Sequence, residues 1–341
     1  MSGGSEATET AIKLVRQYYA QTGKPNKKTI ISRYNNFHGV TLGALTATGI
    51  ASRKIPFEPL AGGFRHIAPP YCLRCPFNLK YPACNVLCAR MLEKVIQYEG
   101  PETVAAFMAE PIQLSTGNIV PPPEYWPIIR ETCDRYDVKV IVDEVATGAG
   151  RCGKMWAMDV FNTKPDVLCM GKGLAAGYVP LSGVAFSDEM ADVFISEDPE
   201  KAFMDGHTYG GNPVAAAAGI AVLQELVERN LVEQCRLRGE YLMQRLEDLR
   251  ELGVIGEIRG KGLMIGIELV KDAQTLEPFK KGINFGTRVG RNSLLKQNMI
   301  IRYAPNWIAV APPFIVSEQE IDEMVLRLGQ SIFDELSVLK N

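Results

Sequence analysis

Apolar residues fall into short continuous runs in the first two thirds of the chain. The runs at 29–31, 104–108, 138–142 and 166–170 are rich in β-branched or other apolar side chains. Runs of this length predict buried strands. Between them, apolar residues recur at helical spacing, as at Ala11, Leu14, Val15 and Tyr18. We therefore expect an α/β domain with a mainly parallel sheet that is flanked by helices.

The pattern changes after Arg229, close to a domain boundary that we place near residue 225. A charged amphipathic helix is expected at 231–252, another helix at 283–297 and a closing amphipathic helix at 318–339, with strands at 263–269, 300–302 and 308–311. Strands that alternate with helices in this way predict a small α+β domain. We therefore divide the chain into a large domain at 1–225 and a small C-terminal domain at 226–341.

Composition narrows the choice of protein class. The chain has 341 residues, of which 46% are hydrophobic and 22% are charged, and its formal net charge is −2. These values predict an ordinary globular protein, and they give no electrostatic reason to expect a nucleic acid or an anionic membrane as a partner. No apolar stretch is long enough to span a bilayer, and the first residues lack the features of a signal peptide. The eight cysteines are not spaced like those of a small disulfide scaffold, so we expect a reducing, cytoplasmic location.

Two charged residues follow consecutive apolar runs. Asp143 ends the run at 138–142, and Lys172 follows the run at 166–170 after a single glycine. Because α/β enzymes place their chemistry just past the strand ends, we expect the two side chains to share a site. A lysine that can form a Schiff base and an acid that keeps a pyridine nitrogen protonated are what pyridoxal phosphate requires. The pair therefore favours that cofactor.

Polar and aromatic residues near the N-terminus could complete such a site. Gly3, Gly4 and Ser5 open the first helical segment, where free N–H groups and the helix dipole can bind phosphate. The alternative is an ordinary N-cap serine. Phe37 could stack on a flat cofactor or could belong to the core, and His38 could be a buried hydrogen-bonding residue. The residues alone leave these alternatives open.

Four cysteines between residues 72 and 88 could form a metal site. Cys72, Cys75, Cys84 and Cys88 are spaced C-x2-C-x8-C-x3-C, and four thiolates could bind a structural zinc ion. The eight-residue gap fits no common zinc module, and we expect Cys84 and Cys88 to begin a helix that runs to Tyr98. Reduced, packed thiols are therefore favoured over a metal.

A glycine-rich loop suggests a competing function. Residues 148–153 match G-x-G-x-x-G, the fingerprint of dinucleotide-binding folds, so a nicotinamide-dependent oxidoreductase that uses Gly148 to Gly153 is an alternative. The fingerprint should follow its strand directly and open a long helix. Four residues stand between Asp143 and Gly148, which disfavours this alternative.

Several of these segments occur together, and in this order, in one family. The chain resembles the class III aminotransferases, pyridoxal-phosphate enzymes of fold type I, and within them the ω-amino acid:pyruvate branch. The matching segments extend from the first residues almost to the end of the chain. They are residues 3–7, 37–39, 110–113, 143–145, 148–153, 171–174, 208–213, 259–263 and 311–313.

The resemblance implies roles for the matching positions. Lys172 would form the Schiff base and move the proton between substrate and cofactor, and Asp143 would pair with the pyridine nitrogen. Gly4 and Ser5 would hold the phosphate, and Phe37 would stack on the ring.

The resemblance also implies a larger cofactor-binding set and a dimer. His38, Val145, Glu110 and Gln113 would line the cofactor. Thr208 would reach the phosphate that is bound by the neighbouring subunit, because sites in this family are shared across a homodimer.

Arg302 is the residue that indicates the substrate. In the ω-amino acid:pyruvate branch, an arginine at this position binds the carboxylate of the amino acceptor, and a guanidinium suits carboxylates and sulfonates. The resemblance therefore implies a donor such as β-alanine, taurine, 4-aminobutyrate or an amine, and a 2-oxo acid such as pyruvate as the acceptor. The alternative is a surface arginine beside a strand.

Members of this family usually have a further segment ahead of the glycine-serine motif, whereas this sequence begins at that motif. A helix near a chain terminus tends to fray. A shortened, catalytically impaired relative is therefore the second alternative to an active aminotransferase.

Overall fold

The apolar runs at 104–108, 138–142 and 166–170 form the centre of a six-stranded sheet in the computed structural model, which describes residues 1–340. The strands are β1 Thr29–Arg33, β2 Phe64–Ile67, β3 Val104–Ala109, β4 Lys139–Asp143, β5 Val167–Met170 and β6 Gly183–Phe186. Their order is β2-β1-β3-β4-β5-β6, and every neighbouring pair is parallel except β5 and β6. This arrangement confirms the predicted α/β class with a mainly parallel sheet.

The chain divides into two units. The first consists of Met1–Pro111, Pro121–Ala149 and Trp156–Glu225, and the second of Ile112–Val120, Gly150–Met155 and the chain from Leu226 onward. The first unit contains the six-stranded sheet. Its helices are α1 Gly4–Gln21, α2 Leu42–Ala47, α3 Ala51–Lys54, α4 Leu87–Glu99, α5 Tyr125–Arg135, α6 Asp188–Phe194 and most of α7 Pro213–Glu228.

Helix α1 forms because its apolar residues share one face. Ala7, Ala11, Leu14, Val15 and Tyr18 are buried, and this spacing of three and four residues is the helical repeat. They pack in a core cluster with side chains of β3, β4 and β5. Burial of this face fixes α1 against the sheet.

A buried lysine connects the N-terminal ends of three strands. The ammonium of Lys27, just before β1, donates hydrogen bonds to the carbonyls of Pro101, Val104, Tyr136 and Asp137 at 2.7–3.1 Å. Burial lowers the pKa of Lys27. The four carbonyl acceptors offset the desolvation of the charge, so Lys27 joins the segments that lead into these strands.

The second unit has its own antiparallel sheet. Its strands, in the order β7-β8-β10-β9, are β7 Ile255–Lys261, β8 Met264–Leu269, β9 Arg302–Ala304 and β10 Trp307–Val310. Its helices are α8 Leu231–Glu247, α9 Phe285–Gln297 and α10 Glu318–Lys340. An apolar core that includes Leu242, Ile267, Phe285 and Ile321 lies among them.

The six predicted elements of the second unit all form, with bounds that differ by one to five residues from those predicted, and two of these differences have a local cause. The helix predicted at 231–252 ends at Glu247 and continues as a 3-10 turn, Asp248–Leu252, which stops at Gly253 with φ 73°. The strand predicted at 300–302 lies at Arg302–Ala304, because the pairing of Trp307 with Ala304 sets the register of the hairpin. Within residues 1–340, no helix is both long and apolar enough to cross a membrane.

Candidate active site

Asp143 and Lys172 lie at the same edge of the sheet. Asp143 is the last residue of β4 and pairs in register with Cys169 of the parallel neighbour β5. The pairing continues one residue further, where the Glu144 amide donates a 2.9 Å hydrogen bond to the Cys169 carbonyl. Lys172 follows three residues after Cys169. The structure therefore brings together the two sequence segments on which the cofactor hypothesis depends.

Lys172 has an unusual backbone conformation. Its φ is 42°, and it begins the short 3-10 turn Lys172–Ala175. The left-handed region costs a residue with a Cβ about 1–2 kcal/mol. The side chain is exposed, and its ammonium forms no hydrogen bond or ion pair with residues 1–340. Lys172 is thus an unpaired amine held by a strained backbone at the sheet edge.

The carboxylate of Asp143 is buried and oriented by two donors. His38 Nδ1 lies 2.8 Å from Oδ2, and the Val145 amide donates to Oδ1 at 3.1 Å. The imidazole of His38 is itself buried, and its Nε2 has no hydrogen-bond partner in the described part of the chain. Each carboxylate oxygen keeps a further lone pair for a ligand.

The loop after β1 places an aromatic ring beside these groups. The amide of Phe37 donates a 2.9 Å hydrogen bond to Oε1 of Glu110, which directly follows β3, and the carbonyl of Glu110 accepts a hydrogen bond from the Arg33 guanidinium. The Phe37 ring is half-buried, and the guanidinium carbon of Arg53 lies 6.0 Å from its centre. Glu110 and Arg33 therefore fix the backbone that holds Phe37 and His38.

Helix α1 begins at this edge of the sheet. The amides of Gly4 and Ser5 have no acceptor among residues 1–340, and Ser5 Oγ accepts the Val40 amide at 3.1 Å. A Cβ on Gly4 would lie 2.8 Å from the Val145 side chain, and one on Gly171 would lie 3.4 Å from it. The absence of a Cβ at both positions therefore lets the backbone of Gly4 and Gly171 pack closely against the Val145 side chain.

This arrangement suits a flat ligand with an anionic tail and a protonated ring nitrogen. Two free amides and the positive end of α1 can bind the anion. The Asp143 carboxylate can pair with a ring N–H, and Lys172 supplies an amine. The unpartnered Nε2 of the buried His38 is consistent with a ligand at this position.

Thr208, Gln113 and Arg302 are the other three predicted site residues. Thr208 belongs to the first unit, in the turn before α7, and its side chain is exposed. Gln113 and Arg302 belong to the second unit, where Gln113 forms a β-bridge with Ile119 and the Arg302 guanidinium is 3.4 Å from the Ser115 hydroxyl. The cofactor and substrate roles of these three residues stay predictions.

Glu144, next to Asp143, is buried and has a perturbed pKa. Burial raises the pKa of its carboxyl to about 7, although the Thr147 hydroxyl and the Met158 amide, at 2.5 and 2.9 Å, donate to it. In the unfolded chain this carboxyl has its ordinary pKa of 4.5 and ionises above it, whereas in the native protein it keeps its proton up to a pH of about 7. The free energy of unfolding therefore falls as the pH rises from 4.5 towards 7.

The pH dependence of Glu144→Gln tests this assignment. Glutamine can accept from Met158 but does not ionise. The difference in unfolding free energy, variant minus wild type, should therefore be about 2 kcal/mol more positive at pH 8 than at pH 5. Urea denaturation at the two pH values measures it. Glu197→Gln, at an exposed carboxyl, is the control. An equal difference at both pH values would contradict a raised pKa.

The structure corrects the sequence reading of the cysteine segment. Helix α4 begins at Leu87, so Cys84 precedes it rather than beginning it. Cys72, Cys75, Cys84 and Cys88 line one mostly apolar pocket. Within the described chain, no group of three or more histidine, cysteine or acidic residues could hold a metal ion.

The glycine-rich loop does not have the geometry of a dinucleotide fingerprint. It neither follows β4 directly nor opens a long helix, since the next helical element is the 3-10 segment Ala157–Phe161. The Arg151 guanidinium donates to the carbonyls of Leu263 and Pro312 at 3.1 and 2.6 Å. This arginine therefore stabilises the second unit, and no feature of the loop supports the oxidoreductase alternative.

Sequence reasoning missed two hydroxyl residues at the site. Thr8 Oγ1 is 2.8 Å from the Gly4 carbonyl and 2.9 Å from the His38 carbonyl. Ser182 Oγ donates to the Gly3 carbonyl at 2.9 Å. The spacing of Thr8, four residues after Gly4 on one helix, was a usable signal. Ser182 is 179 residues from Gly3 in the chain, and nothing local indicated that contact.

Comparison with known proteins agrees with this geometry. The family model described as Aminotransferase class-III matches residues 1–332. The chain is 36% identical to the putrescine–pyruvate aminotransferase of Pseudomonas aeruginosa, over 94% of its own length and 70% of that protein. It is 36% identical to the taurine–pyruvate aminotransferase of Bilophila wadsworthia, with 97% and 74% covered. A crystal structure of an (S)-enantioselective omega-transaminase from Thermomicrobium roseum superposes with a TM-score of 0.93 at 38% identity, covering 98% of this chain and 74% of that one.

Proposed function

The chain belongs to the class III aminotransferases, which depend on pyridoxal phosphate, and from this premise we propose that it moves an amino group from an ω-amino acid or amine to a 2-oxo acid such as pyruvate. The observation that supports this most strongly is the pairing of β4 with β5, which aligns Asp143 and Lys172 at one sheet edge. The oriented Asp143 carboxylate and the unpaired Lys172 amine are the groups that this chemistry needs.

The residues at the sheet edge fit the cofactor. When bound, pyridoxal phosphate supplies an aldehyde that condenses with amines and a ring that takes up electrons. The amides of Gly4 and Ser5 would hold its phosphate. Asp143, oriented by His38, would hold a proton on the ring nitrogen, and Phe37 and Val145 would cover the ring.

Lys172 is proposed to move the proton. As a neutral amine it could take a proton from the substrate carbon and return it to the cofactor. Such a transfer requires a base that is held within hydrogen-bond distance of the proton. Glu110, whose Oε1 accepts the Phe37 amide, and Gln113 are proposed to line the ring.

The substrate class is inferred from Arg302. Its guanidinium could pair bidentately with the carboxylate of the acceptor or with the distal anion of a donor. The names of relatives include both putrescine and taurine as donors with pyruvate as the acceptor, so we propose a terminal amine as the common feature of the donor. β-Alanine, taurine and 4-aminobutyrate are the first candidates.

The domains, the assembly and the location of the protein are also proposed. We propose that residues 1–225 form the cofactor-binding domain and 226–341 the smaller domain. We propose that two copies form a dimer with shared sites, in which Thr208 reaches the phosphate bound by the partner subunit. The cytoplasmic location inferred from cysteine usage also stays a proposal.

A half-reaction tests the function. The protein is loaded with pyridoxal phosphate, freed of excess cofactor and mixed with one candidate amine in the absence of acceptor. We expect the visible absorbance of the bound cofactor to fall with at least one ω-amino acid or amine, and pyruvate to restore it. Failure to bind the cofactor, or an unchanged spectrum with all donors, would contradict an active transaminase and favour the impaired relative.

Replacement of Arg302 tests the substrate assignment. Because a hydrogen bond to a charged group contributes about 1.5–3 kcal/mol, we expect Arg302→Leu to raise KM for pyruvate about 10- to 100-fold. The first half-reaction with an uncharged amine should change little. Arg291→Leu, at an exposed arginine of α9, is the control. An unchanged KM for pyruvate would leave Arg302 as a surface residue.

A further inference from the structure

Helix α1 has a polar stripe that is separate from its apolar face. The stripe is formed by five side chains at spacings of three and four residues: Glu6, Thr10, Lys13, Gln17 and Gln21. Such spacing places all five on one side of the helix. Polar residues on a helix that packs against a sheet usually face water, whereas these five contact another segment of the chain, residues 200–207.

The C-terminal half of the stripe binds main-chain groups of that segment. Gln21 Nε2 donates to the carbonyl of Lys201 at 3.1 Å. Gln17 donates to the carbonyl of Ala202 at 2.7 Å and accepts the amide of Met204 at 3.0 Å. The Gln17 side chain thus forms hydrogen bonds with both a carbonyl and an amide of this segment.

The N-terminal half of the stripe binds side chains. The Thr10 hydroxyl donates to Asp205 Oδ2 at 2.6 Å, and the Lys13 ammonium forms an ion pair with Oδ1 of the same carboxylate. His207 Nε2 lies 3.0 Å from the Thr10 hydroxyl, and its Nδ1 lies 3.8 Å from the Glu6 carboxylate. The Asp205 side chain is only 7% exposed, so it is the buried centre of this contact.

The order of these contacts defines a direction. As the chain advances from Lys201 to His207, its partners on α1 move from Gln21 back to Glu6. The segment therefore runs antiparallel to the helix and ends beside the first turn of α1, where the phosphate-binding amides of Gly4 and Ser5 are located. Thr208 is the next residue. The contacts of Asp205 and His207 with α1 therefore fix the position at which Thr208 begins.

We propose that Asp205 is a positioning residue, which through Thr10 and Lys13 locks the 200–207 segment onto α1 so that Thr208 is presented to the phosphate bound by the partner subunit. This inference rests on the proposed function, in which Thr208 acts across the dimer. It adds a physical link between the two sites. The helix that binds the phosphate of one site also holds the segment that completes the other.

Cofactor affinity is the first measurement. Loss of one charge-assisted contact corresponds to about a tenfold change, so we expect Asp205→Ala to weaken pyridoxal phosphate binding about 10-fold. Thr10→Val should have a similar effect, and Thr10→Ser, which keeps the hydroxyl, should restore wild-type affinity. Asp192→Asn, at an exposed carboxyl of α6, is the control. Thermal unfolding of the cofactor-free proteins checks that the variants fold.

Mixed dimers separate positioning from general stability. A Lys172→Ala chain and an Asp205→Ala chain, carrying different tags, are co-expressed and purified through both tags. The one site with a lysine then takes Thr208 from the chain with an intact Asp205. After borohydride reduction, covalent cofactor fluorescence reports that site alone. We expect the affinity of the lysine-bearing site for pyridoxal phosphate to return to within about twofold of wild type. The reason is that the Asp205→Ala chain supplies its misplaced Thr208 to the site that lacks the lysine.

Two results would overturn the proposal. The first is a lysine-bearing site that stays as weak as in the Asp205→Ala homodimer, which would mean that Asp205 acts within its own subunit. The second is wild-type affinity in Asp205→Ala and Thr10→Val, which would leave the stripe with a folding role only. Failure of the proposed function looks different, because the wild-type protein itself would then show no lysine-dependent binding of pyridoxal phosphate.

Discussion

Lys172→Ala is expected to lower transaminase turnover by about 10⁴-fold or more. The substitution removes the amine that is proposed both to hold the cofactor and to move the substrate proton, and a positioned base alone contributes about 10²–10⁴-fold. The backbone conformation, φ 42°, should survive, since alanine has the same restriction as lysine. The measurement is the rate of the first half-reaction under single turnover, together with the visible absorbance of the bound cofactor.

The control for this substitution lies at the other end of the same strand. Lys164 is exposed and precedes β5 by three residues, so Lys164→Ala removes a lysine charge without touching the sheet edge. Its turnover should match wild type. A small primary amine added to Lys172→Ala should recover part of the rate by supplying the missing proton acceptor. Wild-type absorbance and turnover in Lys172→Ala would show that another group does this chemistry.

Asp143→Asn is expected to lower the catalytic efficiency by about 10²–10⁴-fold, because removal of one partner from a buried charged pair costs about 3–5 kcal/mol. The amide matches the carboxylate in shape and can still accept the Val145 amide. It cannot stabilise a positive ring nitrogen, so the electron-withdrawing capacity of the cofactor falls. Steady-state kcat/KM and the dissociation constant of pyridoxal phosphate measure the two consequences separately.

A matched carboxylate helps to interpret the Asp143 result. Asp159, exposed in the 3-10 segment Ala157–Phe161, can be replaced by asparagine at no cost to the site. Its catalytic efficiency should equal that of wild type. If Asp143→Asn had the same efficiency as Asp159→Asn, the role of the carboxylate would be limited to holding His38.

The central strands, and the alignment of the Asp143 and Lys172 segments at their ends, could be predicted from sequence because both depend on local patterns. Strands β3 and β4 are buried along their whole length and β5 at alternate residues, and the buried positions of a strand are mostly apolar. Parallel strands place their carboxyl ends together, so the expected proximity of Asp143 and Lys172 followed from two such runs.

Edge strands were not predictable in the same way. Strands β2 and β6 contain only one fully buried residue between them. The sequence of β2 has two polar residues at its centre, and the apolar run in β6 is limited to residues 184–186. Their pairing is determined by the strands that they adjoin. The bond between Thr10 and Asp205 spans 195 residues, and neither residue has a local pattern that indicates its partner.

The left-handed backbone at Lys172 has a consequence for the evolution and engineering of this enzyme. A glycine there would relieve about 1 kcal/mol of conformational cost and would remove the amine that is proposed to hold the cofactor. Screening variants for heat resistance alone would therefore reward loss of the amine, so any stabilisation campaign must score product formation in every round.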